Sequence, residues 1–331
     1  MNEIDFVITW VDGNDPAWIA ERKKYNSKSG DKSDTRFRDW ELLKYWFRGV
    51  EKYAPWVRKI HFVTWGHYPS WLNVSHPKLN IVSHTEFIPK QYLPTFNSHT
   101  IELNLHRIKG LSEQFVYFND DVFLTKPTAP EFFFKNGEPC DCFGLEGIYF
   151  SSKSIGWIAG SCVAIVNDNF NLRKSVKCHW KKYFSINNGW KKVIKSGLAL
   201  ICCREWFPGF YHAHTSYSFL KSSFEQVWEN SFVTLNETCM HKFREKCDVS
   251  PRAIKNWQLA SGTFVPCKAK SMHCYHLNDE RVQKIEEIIL NQKFNVICVN
   301  DTENITSFEI SKVQLNIAFG RAFSQKSSFE K

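Results

Sequence analysis

No apolar run in this sequence approaches the roughly 18–20 residues needed to cross a bilayer, and the Leu198–Cys203 patch is far too short. A membrane-spanning helix is therefore not expected. Residues 1–11 begin with acids and read as a strand, so no secretory leader is expected either. The eleven cysteines are an odd number without framework spacing, in a chain of 331 residues that needs no staples. The expectation is a cytoplasmic protein with reduced thiols, peripheral at the cytoplasmic membrane, in which the sequons at Asn73, Asn236 and Asn304 carry no meaning. Cys140-x-Cys142 and the Cys267/His273/Cys274/His276 group lack zinc-finger spacing and read as free structural thiols. No Walker-type or dinucleotide glycine motif is present, which disfavours ATP- and NAD-dependent chemistry. Low-complexity tracts are missing too.

The last absence is local. Between Asp168 and Glu205 there is no acidic residue, yet nine basic ones occur: Arg173, Lys174, Lys177, Lys181, Lys182, Lys191, Lys192, Lys195 and Arg204. They account for the whole net charge of +9. Trp180, Tyr183, Phe184 and Trp190 are interleaved with them. Such a mixture suits an anionic membrane surface. Single-stranded nucleic acid would accept it as well, and a solvated basic face is the bland alternative.

What is present is an alternation of strands and helices. Ile4–Val11 is a strong strand ended by the turn chemistry of Asp12-Gly13-Asn14-Asp15-Pro16. Asp5 is odd inside it, because a carboxylate among apolar neighbours needs a partner. Residues 26–38 are polar and read as a mobile loop able to act as a lid. Trp40, Leu43, Phe47 and Val50 recur at helical spacing up to Ala54-Pro55. Strands follow at 59–64 and 80–83, then a helix capped by Ser98 and running to about Gly110, which leaves Glu102 and Arg107 free to reach a ligand. The next strand, Gln114–Phe118, runs into Asn119, Asp120 and Asp121 before resuming as Val122-Phe123-Leu124.

A pair of carboxylates at the tip of a buried strand is costly unless a cation sits there, or unless the three residues form only a solvated turn. Phe294–Val299 repeats the pattern, a second apolar strand ending in Asn300-Asp301. Two such tips would hold one metal better than either alone. Tyr211–Ser216 brings His212 and His214 ahead of a segment with Leu220, Phe224, Val227 and Trp228 on one face, which places His214 at or just before a helix N-terminus. The fold class expected is α/β: a mostly parallel central sheet flanked by helices, in one domain over 1–320. A basic, aromatic, helical or irregular insertion occupies about 130–205, and a frayed tail 321–331.

These blocks carry a resemblance. Asp5-Phe-Val-Ile-Thr-Trp-Val-Asp-Gly-Asn-Asp15 resembles the first signature of the Stealth family of sugar-1-phosphate transferases. That family includes bacterial capsular and receptor-polysaccharide phosphotransferases and the animal GlcNAc-1-phosphotransferase. Residues 38–124 are similar to its second signature, through Ala54-Pro55-Trp56-Val57-Arg58, Pro69-Ser70-Trp71-Leu72, Leu93-Pro94-Thr95-Phe96, His106-Arg107-Ile108 and Asn119-Asp120-Asp121. His214–Glu225 with Lys242-Phe243-Arg244 resembles the third, and Cys298-Val299-Asn300-Asp301 the last. After His214 the animal enzyme has a second histidine where this chain carries Tyr217.

The resemblance implies a fold like that of nucleotide-sugar (GT-A-like) transferases. It also implies transfer of a hexose or N-acetylhexosamine 1-phosphate from a UDP-sugar to a hydroxyl of a growing cell-surface polysaccharide, with UMP leaving. Carried over by position, Asp121 and Asp301 would hold Mg²⁺ or Mn²⁺, His214 would be base or transient phosphoryl acceptor, and Arg244 would clamp phosphate. Asp5, Trp10, Glu102, Arg107 and Asn119 would position the donor. A lipid-linked oligosaccharide at the inner membrane face is the implied acceptor, and no nucleic-acid partner is expected. The rival reading is a metal-dependent glycosyltransferase that releases UDP.

Overall fold

The computed structural model describes residues 3–25, 38–151, 156–268, 271–302, 305 and 307–331. The lid expected at 26–38 lies outside them, except for Arg38. In chain order the first half holds strands β1 (Ile4–Thr9), β2 (Ile60–Thr64), β3 (Leu79–Ser83), β4 (Gln114–Phe118), β5 (Val122–Leu124), β6 (Phe134–Lys135) and β7 (Glu138–Asp141). Its helices are α1 (Pro16–Lys23), α2 (Leu43–Tyr53), α3 (His84–Phe87) and α4 (Ser98–Leu103). Helices α5 (Gly156–Asn169), α6 (Leu172–Tyr183) and α7 (Trp190–Cys202) come next. The remainder comprises β8 (Tyr217–Leu220), α8 (Lys221–Asn230), α9 (Phe232–Met240), α10 (Arg252–Ala260), β9 (Val265–Pro266), β10 (Met272–His276), α11 (Asp279–Leu290), β11 (Val296–Asn300) and α12 (Phe308–Ala322).

The central sheet has the order β3-β2-β1-β4-β8. Its first four strands are parallel, and β8 closes one edge antiparallel to β4. The α/β expectation holds. β1 and β4 are apolar at nearly every position because helices cover both sheet faces. Phe6, Ile8, Val116 and Phe118 point into one core, Val7, Phe115, Tyr117 and Phe219 into the other. Fully burying a Phe such as Phe118 contributes roughly 2–3 kcal/mol. A second sheet, β10-β11-β5, is built directly onto the end of β4, because β5 follows Asp121 and pairs antiparallel with β11. α2 lies against it at Gly49, where an added Cβ would stand 2.8 Å from the Leu124 carbonyl oxygen. Helices α5–α7, with the end of α10, enclose a smaller cluster around Phe143, Val166, Tyr183 and Phe264.

Three expectations change. The helix from Ser98 stops at Leu103, not near Gly110, and Asn97 is its cap, accepting from the His99 amide. The Asn104 side chain ends it by competing with the backbone: its amide donates to the Thr100 carbonyl at 2.8 Å and its oxygen accepts from Arg107 Nε at 2.9 Å. The segment after His214 is first a strand and only then a helix, since Phe219 and Tyr217 pair across to Phe115 and Tyr117. The tail is docked instead of frayed. Phe329 is buried in the first core, and Glu330 receives both Arg48 Nε at 2.7 Å and Nη2 at 2.6 Å.

Candidate active site

Parallel strands all present their C-terminal ends to one edge of the sheet, and loops there collect ligands. At this edge lie Trp10–Asp15 after β1 and Asn119–Asp121 after β4. An antiparallel strand begins where its parallel neighbours end, so the residues before β8 arrive there as well. Tyr217 opens β8 opposite Tyr117, and His214 precedes it by three positions. His214 Nε2 accordingly stands 3.8 Å from Asp121 Oδ2. That juxtaposition follows from strand polarity, and it unites two of the residues predicted from sequence.

Asp121 is the centre of the site. Its Oδ2 accepts from the Cys298 thiol at 3.3 Å, and its carbonyl accepts from the Val299 amide at 2.8 Å. Its Oδ1 is buried and has no hydrogen-bond partner among the described residues. A buried carboxylate oxygen left this way costs free energy that a bound cation would recover. Asp121, His214 and Cys298 offer ligand atoms within 4.8 Å of one another. Burial, then the neighbouring Cys274 and Asp121, hold the Cys298 thiol well above its ordinary range, so it serves Asp121 as a donor and not as a thiolate.

Other carboxylates crowd the same edge. Dense surroundings and the charges of Asp121 and Asp39 push the Asp120 carboxyl up to about 7, an effect that solvent screens because the residue is exposed. Asp39 is raised by burial and then by Glu41 and Asp12. A row of carboxylates this close, in which Asp121 and Asp39 raise Asp120 and Asp12 raises Asp39, is poised for a hard divalent ion with oxygen ligands. The residues present therefore fit a divalent metal. Asp120 belongs to the carboxylate pair read at the strand tip, whereas Asp12 and Asp39 were not among the residues singled out as ligands.

Glu102 and Asn119 also come together. Tyr117 Oη lies 3.0 Å from Glu102 Oε1 and 2.5 Å from Asn119 Oδ1, and Thr9 Oγ1 is 3.0 Å away. Arg252 from α10 hydrogen-bonds Tyr217 and is close enough to feel the Glu102 charge. Arg244 donates from Nη2 to Ser98 Oγ, one turn before Glu102 on α4. The Arg244 segment is fixed by Asp248, which accepts from Asn97 Nδ2 at 2.7 Å and the Glu245 amide at 2.9 Å. Trp10 stacks on Phe62 and meets the His67 ring edge-on, and His67 Nε2 in turn accepts the Asp12 amide at 2.8 Å.

Three predicted residues do not join. Asp5 lies at the opposite end of β1, level with Phe115 at the start of β4. From Asp5 to Thr9 the strand rises about 13 Å. Its carboxylate is fully buried and taken by Arg58 Nε at 2.8 Å, Nη2 at 2.5 Å, His61 Nε2 at 3.1 Å and the Ser112 amide at 2.8 Å. Asp5 is a structural ion pair and not a donor-binding residue. Arg107 is exposed, with its guanidinium 5.0 Å above the Trp228 ring. Asp301 does arrive beside the Asn119–Asp121 tip, since β11 runs along β5. Its oxygens, however, are held by Arg38 Nε at 2.9 Å and Nη2 at 2.8 Å, so the cluster around Asp121 contains His214 and Cys298 in its place. Arg38 opens the second signature, but only the fold brings it to Asp301. His212, which the sequence places two residues before His214, is held far below its ordinary range by burial and by Lys255 and Arg252.

Comparison with known proteins completes the description. Residues 2–30 match the family region described as Stealth protein CR1, conserved region 1, and residues 36–141 match Stealth protein CR2, conserved region 2. Over 337 residues the chain is 40% identical to the capsular polysaccharide phosphotransferase WcwK of Streptococcus pneumoniae, spanning all of this chain and 99% of that protein. It is 38% identical over 336 residues to the receptor polysaccharide phosphotransferase WefC of Streptococcus oralis, covering both in full. Among solved structures, the galactosyltransferase LgtC with donor and acceptor sugar analogues aligns over 95% of each chain, at a TM-score of 0.40 and 11% identity.

Proposed function

The chain belongs to the Stealth family of polysaccharide phosphotransferases, and from that premise we propose that it moves a hexose or N-acetylhexosamine 1-phosphate from a UDP-sugar to a hydroxyl of a cell-surface glycan. The acceptor is a lipid-linked oligosaccharide presented at the inner face of the membrane. UMP is the leaving group. His214 Nε2 takes the proton of the acceptor hydroxyl as that oxygen bonds to the β-phosphorus and the bridging P–O bond to UMP breaks. The bond at the anomeric carbon is never opened, so the donor's configuration is kept.

Arg244 clamps a phosphate oxygen of the donor. Glu102 and Asn119, tied together through Tyr117, orient the sugar hydroxyls, and Trp10 packs beside the donor. Asp121, with Asp120 and Asp39, would hold Mg²⁺ or Mn²⁺, which when bound offsets the charge of the pyrophosphate. Asp301 supports the edge through Arg38 instead of as a first ligand.

One observation supports this reading: a buried carboxylate oxygen without a partner among the described residues, on the residue that also faces an imidazole, at the ligand edge of the sheet. The test is incubation with a panel of UDP-hexoses, acceptor and Mn²⁺, with UMP and UDP resolved by chromatography. UMP is the expected product, and His214→Ala abolishes its release while leaving the circular dichroism unchanged. UDP as the sole nucleotide product overturns the proposal.

A further inference from the structure

Helix α7 breaks the usual rule for a surface helix. Trp190, Ile194, Leu198 and Ile201 are exposed by 59%, 55%, 60% and 76%. At 3.6 residues per turn these positions fall within an arc of about 80° and form one outward apolar row. The inward face is the one that packs. Ser196 is buried and accepts the Leu145 amide at 2.9 Å, and Leu200 leans on the cluster around Phe143. A helix on a protein in water normally presents charge outward and apolar residues inward. This one is apolar on the outside by design of its sequence, not by lack of a core face.

Cations flank the row on its own helix, and more are exposed on the helix before it. Lys191 and Lys195 are exposed along its flank, and α6 adds exposed Arg173, Lys174, Lys177 and Lys181 around exposed Trp180. Arg204 and Trp206 follow just after the helix, both exposed. Of the nine basic residues in this stretch, Lys182 is the one seen with a carboxylate among the described residues, Glu138 at 2.8 Å. The others meet no acidic neighbour in their own segment, since none exists between Asp168 and Glu205.

We infer that α7 docks in the plane of an anionic phospholipid bilayer, with the Trp190/Ile194/Leu198/Ile201 row at the acyl boundary and the lysines and arginines at the phosphates. Its 13 residues span about 20 Å, a length that lies in the interface and does not cross it. Charge complementarity selects this occupant. Two copies of so uniformly basic a face would repel, and nucleic acid has no use for an aliphatic row. The docking also has a direction. On the inner side Lys192 sits 4.1 Å over the Tyr211 ring, three residues before His214, so the helix that meets lipid also backs the loop that carries the imidazole. Delivery of a lipid-carried acceptor to that loop rests on the proposed reaction; the docking itself does not.

The test uses the purified full chain and sedimentation with vesicles of phosphatidylcholine, alone or mixed with phosphatidylglycerol, without UDP-sugar. The chain is expected to bind the mixed vesicles, less so as salt rises, with a blue shift in tryptophan emission. Leu198→Glu combined with Ile201→Glu, and separately Lys191→Glu with Lys195→Glu, should each weaken binding at least about tenfold. Both variants should release UMP normally with a water-soluble acceptor and lose turnover only with the lipid-carried one. Failure of UMP release in every format, with vesicle binding intact, sinks the reaction and spares the docking. A folded wild-type chain that ignores the mixed vesicles overturns the docking, as does undiminished binding by the Leu198/Ile201 variant. A dimer that this variant dissociates would also overturn it, and would make the row a self-association surface.

Discussion

The two ends of strand β1 handle carboxylates in opposite ways. At the N-terminal end Asp5 is fully buried, yet both its oxygens are taken, by Arg58, His61 and the Ser112 amide. Burial alone would raise its pKa, but the hydrogen bonds from His61, Arg58 and Ser112 outweigh that and hold it below the usual carboxylate range. Even the histidine tautomer is set: the Asn80 amide donates to His61 Nδ1 at 2.9 Å, which leaves Nε2–H for Asp5. At the C-terminal end Asp120 is pushed up by crowding and by the charges of Asp121 and Asp39, Asp39 is pushed up by burial, and Asp121 keeps a buried oxygen with no partner among the described residues. The chain balances its own charge at one end and leaves it unbalanced at the other. A protein that supplies all the counter-charge is holding itself together, whereas one that withholds it is holding a place for a ligand.

The sharpest way to break this comparison is to remove one carboxylate from each end. Asp121→Asn should lower UMP release by about a thousandfold with the fold retained. Asp5→Ala should do the reverse, costing about 3 kcal/mol of stability because Arg58 and His61 lose their buried partner, while each folded molecule keeps near-normal turnover. Paired urea denaturation and kinetics on the two variants decide it. Equal loss of activity per folded molecule would erase the distinction between the ends.

The pH dependence should separate them next. Asp120 has a folded pKa of about 7 against an ordinary 3.8, so its contribution to stability is full below the lower value and is lost as pH rises through the higher one. Asp5 is lowered, so its contribution is present above 3.8 and is lost only as pH falls toward its folded value. Thermal melts should therefore show stability declining from about pH 4 to pH 7, and Asp120→Asn should flatten that decline. Mn²⁺ should raise the melting temperature more at pH 8 than at pH 5, because the carboxylates must be ionised to bind it. A larger gain at pH 5 would contradict the carboxylate cluster. The smallest effect is expected at Arg107, which stands outside both ends on Trp228: Arg107→Ala should cost no more than about 1 kcal/mol and leave the Michaelis constant for the donor unchanged.

Legibility differed along the chain for physical reasons. Tip residues Asn119, Asp120 and Asp121 announced themselves because an apolar strand cannot absorb carboxylates without a purpose. Asp5 sent the same signal and meant something else, since from sequence a buried carboxylate looks alike whether its partner is a ligand or an arginine. Arg58 lay 53 positions away and His61 56 positions away. The tail looked frayed because its polar residues hide one anchoring pair, Phe329 and Glu330, whose sockets belong to α2 and the first core. The Lys-rich stretch showed its charge plainly but not which residues face outward.

By itself the sequence determined the alternation of buried strands and amphipathic helices, the acidic strand tips, and the kinship carried by ordered motif blocks. These depend on periodicity and on neighbours within a few positions, which any reader of the chain can count. Only the tertiary structure decided that His214 meets Asp121, that Arg38 claims Asp301, and that Asp5 belongs to the fold. Each is a long-range pairing settled by strand polarity and burial, because an antiparallel edge strand brings its start to the place where parallel strands end.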